Sequence, residues 1–235
     1  MKGSIHPLTI FERNAINFFA ALGFEVVEGD EITSVWYNFD SVRMPKWHSA
    51  RDAQDTFYTE DGKVLRTHTS AMQVKAMETR TPPVRILIPG RCFRNEATDA
   101  THEANFYQLE GFVVDKDIKM THLIGTLTNF VKKIYGQNVE VKFVPAYFPF
   151  VEPGVEMLMK FAGTNKWLEM LGAGMIHPEV LKNMGVDSKI YSGFAFGMGV
   201  DRFAMLASEF NDIRLSYQGN LIFLKQFKLS NENKN

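Results

Sequence analysis

The chain has 235 residues, 45% hydrophobic and 23% charged, with 26 basic and 27 acidic side chains and a formal net charge of −1. This composition excludes a disordered chain, and the near-zero charge excludes a chain-wide basic footprint for nucleic acid. A single cysteine, Cys92, excludes an internal disulfide and a cysteine-rich zinc site; no apolar run nears the ~20 residues needed to cross a bilayer.

Leu8, Phe11, Ala15, Phe18, Phe19 and Leu22 recur at helical spacing, and Gly23 is a stop signal. A short strand is expected at 24–27. Asp61-Gly62 between 55–59 and 64–67 is a hairpin signal. Thr69 or Ser70 can cap a helix running to about Arg80, ended by Pro82-Pro83. Strands are expected at 84–88 and 106–114, and a helix at 121–135 stopped by Gly136. Further strands follow at 139–144, 155–161, 166–175 and 191–196, and then a helix from Val200 to about Glu209. Mostly consecutive strands with few crossover helices predict an α+β fold, a mostly antiparallel sheet flanked by helices. One domain over 1–228 is expected, with 229–235 as a disordered tail. Cys92, in an apolar stretch, reads as a buried inert thiol. The N-terminus has no signal-peptide pattern, and the expected location is cytoplasmic.

Two short stretches carry chemistry. In Phe93-Arg94-Asn95-Glu96, an arginine and a glutamate two apart on a strand share a face; arginine suits phosphate and glutamate accepts from an amine. In Gly197-Met198-Gly199-Val200-Asp201-Arg202, glycines permit close backbone approach just before a helix that opens with an arginine. A dinucleotide-binding loop is excluded there: Arg202 stands where a third glycine is needed, and no βαβ unit surrounds it.

These stretches resemble motifs 2 and 3 of class II aminoacyl-tRNA synthetases. Further blocks are similar to the α subunit of bacterial-type phenylalanyl-tRNA synthetase. They include Arg66-Thr67-His68-Thr69-Ser70, Ala97 to Glu103, Gln108-Leu109-Glu110-Gly111, Tyr147 to Gly154, Gly172 to Pro178 and Gly193 to Gly197. The resemblance spans Gly3 to about Phe227. It implies ATP and Mg²⁺ as cofactors, L-phenylalanine and tRNA(Phe) as substrates, and a β subunit in an α2β2 heterotetramer, with proofreading in β. A non-catalytic paralogue acting as a binding or regulatory protein is the alternative, and a relative specific for another amino acid is a third reading.

The resemblance also implies roles. Arg94 would hold the α-phosphate and the substrate carboxylate, and Glu96 would read the adenine amine. Arg202 would cover the adenine or the γ-phosphate, opposite Phe106. His102 would sit near the β- or γ-phosphate, on a polar loop, Thr98 to Glu103, suited to a lid. Gln108 and Glu110 would accept from the substrate ammonium, with His68 and Ser70 completing the polar end. Phe148 and Phe150 would meet the substrate ring edge to face, Gly172, Ala173 and Gly174 would let backbone approach it, and Ala195 would floor the pocket. Glu152 and Glu169 are the candidate Mg²⁺ ligands. Four departures stand out. Asp30 replaces the usual proline of motif 1, which builds the subunit interface; the usual His-Pro-Ala-Arg block reads His48-Ser49-Ala50-Arg51; Asp201 replaces glutamate in motif 3; and the sequence does not include the family's N-terminal helical arm, Met1 lying almost against the catalytic block, which fits a trimmed chain or a minimal natural form alike.

Overall fold

The computed structural model describes residues 3–52, 55–100 and 102–227. The expected tail, 229–235, lies outside the described residues. In chain order the elements are α1 (Pro7–Ala21), β1 (Glu25–Val26), β2 (Ile32–Thr33), α2 (Val35–Asn38), β3 (Val64–Leu65), α3 (Gln73–Met77), β4 (Val84–Phe93), β5 (Asn105–Asp115), α4 (Met120–Tyr135), β6 (Glu140–Pro145), β7 (Val151–Lys160), β8 (Leu168–Ile176), α5 (Pro178–Asn183), β9 (Ser192–Gly199), α6 (Val200–Ala207) and α7 (Leu221–Leu224).

Seven strands make one sheet in the order β1-β4-β5-β9-β8-β7-β6. Only β1 joins in parallel; every other neighbour in it is antiparallel. The fold is therefore α+β, as the strand succession predicts. The period-two alternation of β5 sorts the two faces. Leu109 and Val113 join a core with Leu8, Phe11 and Phe19 of α1, Leu127 and Phe130 of α4, and Phe203 of α6. Phe112 and Val114 instead join Val74 and Met77 of α3 and Val180 and Leu181 of α5. Helices thus close one face fully, and the other face is closed only around an opening at Gln108 and Glu110.

α1 forms where its spacing predicts. Pro7 opens it, the His6 ring accepts from the Leu8 N–H, and Leu8, Phe11, Ala15 and Phe19 make the buried stripe. The hairpin at Asp61-Gly62 forms, with Tyr58 bridged to Val64 and backbone bonds from Thr59 N to Lys63 O and Leu65 N to Phe57 O, and β3 also pairs with β2, which the sequence does not announce. Three expectations change. The helix from Ser70 to Arg80 is a 3-10 turn, Thr69–Met72, followed by the short α3. The hydroxyls of Thr69 and Ser70 bond a carboxylate across the fold and do not cap a helix. Finally, β4 ends at Phe93, so Arg94 and Glu96 stand on the loop beyond it rather than on a strand face.

Candidate active site

The sheet opening leads into a cavity of about 520 Å³. Its floor includes three paired residues on one sheet face, Glu110 opposite Gly197 and Gly197 opposite Gly172; the same row runs on to Glu156, opposite Gly172, outside the cavity lining. A Cβ on Gly197 would meet nothing nearer than a Glu110 oxygen at 3.9 Å, which leaves bare backbone in front of that carboxylate. One row further along β9, Ala195 is 3% exposed and packs with Phe148 and Phe150. Those two rings are near-parallel, 6.0 Å apart at 19°. The cavity therefore has an apolar end (Phe148, Phe150, Ala195) and a polar end (Glu110, Gln108, Ser70, His68, Arg94).

Glu110 is 2% exposed and accepts hydrogen bonds from Ser70 Oγ, Gln73 Nε2 and, at 3.4 Å, Thr69 Oγ1. Burial raises its pKa from 4.5 to about 7, against the opposing pull of those bonds. His68, buried beside it, has both ring nitrogens without a hydrogen-bond partner. Burial, then the nearby Arg94 charge, lowers its pKa to about 3, so the ring is neutral and can donate and accept. Gln108 Oε1 accepts from the Thr69 N–H at 3.1 Å and from Cys92 Sγ at 3.4 Å. Cys92 is fully buried and its pKa is pushed up to about 12, chiefly by burial. It is an inert thiol, as the sequence suggests. Arg94 Nε donates to Thr67 O at 3.2 Å, and its guanidinium lies over the Phe106 ring at 4.9 Å. Asn38 fixes Thr67 by two bonds, 3.0 and 3.1 Å.

The family description "tRNA synthetases class II core domain (F)" matches residues 1–227. The chain belongs to this family. Curated relatives bear the name phenylalanine–tRNA ligase alpha subunit. The Alkaliphilus metalliredigens protein is 48% identical over 235 residues, covering 96% of this chain and 69% of the relative. The Xylella fastidiosa protein is 45% identical over 229 residues (96% and 68%), and that of Acaryochloris marina 47% identical over 226 (96% and 68%).

In this synthetase core, several expected residues do not meet at the cavity. Gly174 does not line it: a Cβ there would strike Pro153 O at 2.5 Å, so the glycine serves strand packing against β7. Ala173 lines the cavity, yet its side chain belongs to the helix-side core. Phe106 is covered on one face by Arg94 and does not line the cavity. Arg202 is exposed on α6, near the charge of Glu156. His102 is exposed on the loop and bonded to Asp99 at 3.1 Å. Glu152 and Glu169 do not share a site. Glu152 pairs with His177 at 3.4 Å, while Glu169 sits opposite Leu158, six residues along β7, or roughly 20 Å. Glu169 lies instead near Glu156, whose pKa is raised by burial and then by Glu169. Among the described residues no group of three acidic, histidine or cysteine side chains could hold a metal.

The cavity also includes residues given no role from the sequence: Met44, Asp55 and Gln73, and also His48 and Tyr147, which fall in family-like blocks. Gln73 follows Ser70 by three residues, a helical spacing that could have signalled it. Met44, His48 and Asp55 come from an irregular stretch with no periodicity to read.

Proposed function

We propose that this chain selects L-phenylalanine, activates it with ATP to phenylalanyl-adenylate, and passes it to the terminal adenosine of tRNA(Phe). The single feature that carries this reading is a buried carboxylate, Glu110, at the polar end of an apolar slot formed by Phe148, Phe150 and Ala195. An amino acid with an aromatic side chain matches both ends. Its ammonium would reach Glu110, with Ser70 and Gln108 alongside, and its ring would lie edge-on to Phe148 and Phe150.

The chemistry needs little covalent help. A carboxylate oxygen of phenylalanine attacks the α-phosphorus, the bond to the bridging oxygen breaks, and pyrophosphate leaves. The protein's work is positioning and charge stabilisation. Arg94 would neutralise the α-phosphate and steady the attacking carboxylate. Its stem is held by Thr67 O and its guanidinium by the Phe106 face. Neutral His68 would donate to the acyl oxygen without adding charge beside Arg94. Glu96, on the cavity wall, would read the adenine amine. Arg202 and His102 would reach the outer phosphates from α6 and from the loop. Mg²⁺ enters as part of the ATP substrate. Among the described residues the carboxylates do not gather into a resident centre for it.

The relatives' names do not favour the non-catalytic alternative. The chain would work in the cytoplasm with a β subunit, in an α2β2 assembly; among the described residues no helix is long and apolar enough to cross a membrane. Phenylalanine-dependent ATP–pyrophosphate exchange by the reconstituted α–β complex tests the proposal. Robust exchange is expected, and no exchange would overturn it. Ala195→Gly should deepen the slot by one methyl group and admit para-substituted phenylalanines. A variant that still activates only phenylalanine would remove Ala195 from the floor.

A further inference from the structure

We propose that Trp47 and Tyr147 form a stacking rim for the unpaired 3′-terminal nucleotides of the RNA acceptor, a role that rests on the ligase reading above. Three observations carry it. First, these are the two most exposed aromatic side chains, at 83% and 82%. Among the described residues neither has a ring partner. By contrast, Trp36 meets Tyr37 edge-on, and Trp167 lies beneath Lys142 and Lys160. Second, the chain brings both to the segments that border the cavity. Tyr147 lines it, and Trp47 immediately precedes His48 and Ser49, which also line it. The two rim segments are tied together by Arg43 Nη1, which donates to Pro149 O at 2.6 Å. A turn closed by the His48 N–H and Pro45 O, 3.0 Å, carries Trp47 at its outer edge. Third, the adjoining cleft, which shares Met44 with the cavity, is bordered by Arg43, Lys46 and Lys182 against Asp40 and Glu179. Arg43 is paired with Glu179, and Arg51 with Asp40. Lys46, next to Trp47, is exposed and has no acidic partner among the described residues.

The physical need is plain. The cavity is on the scale of one small-molecule ligand. An RNA that presents its terminal hydroxyl to an acyl-adenylate inside must leave its preceding nucleotides outside, on the rim. Unpaired bases are held without sequence readout by aromatic faces flanked by cations. Two unstacked rings and a lysine on those bordering segments supply that combination. The chain's net charge of −1 gives it no overall attraction for an anion to do the same work.

The test uses the α–β complex and separates the two half-reactions. Trp47→Ala should leave phenylalanine-dependent pyrophosphate exchange within about twofold. It should lower kcat/KM for tRNA in acyl transfer by about tenfold, the scale of one lost base stack. Trp47→Phe should restore most of that loss. Tyr147→Ala should depress transfer more than activation, and Lys46→Ala should reduce the salt dependence of tRNA binding by about one charge. A short unstructured oligoribonucleotide with the tRNA 3′ sequence should quench the fluorescence that Trp47→Phe removes. Unchanged transfer in Trp47→Ala would overturn the inference, as would an equal fall in both half-reactions, which would place the ring at the amino-acid pocket. Failure of Trp47→Ala to assemble with β would also overturn it, marking the rim as a protein interface. Absent exchange in the unsubstituted complex would instead be a failure of the ligase reading.

Discussion

Glu110→Gln is expected to lower kcat/KM for phenylalanine by about a thousandfold while making the folded chain more stable at neutral pH. The first effect follows from leaving a substrate ammonium in a buried site without its counter-charge, a loss of about 3–5 kcal/mol. The second follows from linkage. Glu110 has its folded pKa raised from 4.5 to about 7, chiefly by burial. Below pH 4.5 the carboxyl is protonated whether the chain is folded or not, and burial costs little. As pH rises toward 7 the unfolded chain releases this proton and the folded chain keeps it, so stability falls. Above about 7 the loss is complete, at about 3 kcal/mol for this group. Glutamine never ionises, so the variant lacks this pH-dependent loss, less whatever the change of hydrogen bonding to Ser70, Gln73 and Thr69 costs. Thermal melts at pH 5 and pH 8 should show wild type and variant converging at the lower pH and the variant higher at pH 8. The same proton appears in function: KM for phenylalanine should rise as pH falls below about 7, because a protonated Glu110 no longer balances an ammonium. A variant with wild-type KM and the same pH profile would remove Glu110 from the ammonium site.

Gly172→Ala should raise KM for phenylalanine by about a hundredfold with little change in melting temperature. A Cβ there would lie 2.7 Å from Phe148 Cζ and within 3.2 Å of two further ring atoms. The ring, stacked on Phe150, must tilt, and the space open to it is the substrate slot. The fold can absorb a ring that moves into a cavity; the ligand cannot share that volume. Gly125→Ala is the control. It sits within α4 with nothing within 4 Å of the new Cβ, and it should stabilise by up to about 1 kcal/mol through helix propensity, leaving KM alone. Equal KM values for the two variants would mean that Phe148 does not border the amino acid.

The sequence by itself determined what is local or repeated. The 3–4 spacing of Leu8, Phe11, Ala15 and Phe19 specifies α1 and its buried stripe. The period of two places Gln108 and Glu110 on one face of β5 whatever surrounds it. The ordered blocks of identity fix the family, and with it the chemistry to look for. Tertiary structure decided what depends on which strands become neighbours. Only the order β5-β9-β8-β7 sets Glu110, Gly197, Gly172 and Glu156 in one row, and no local rule predicts that order. It also separates look-alikes: Gly172 accommodates a cavity-lining ring while Gly174 packs against β7, and Glu152 on β7 and Glu169 on β8 fall at opposite ends of that strand pair. Glu110 is the clearest case. Its face was legible from alternation, but its burial, and therefore its raised pKa, comes from what the fold packs around it, against the opposing hydrogen bonds of Ser70, Gln73 and Thr69. Desolvation is a property of everything packed around a group, and a sequence displays only the group itself.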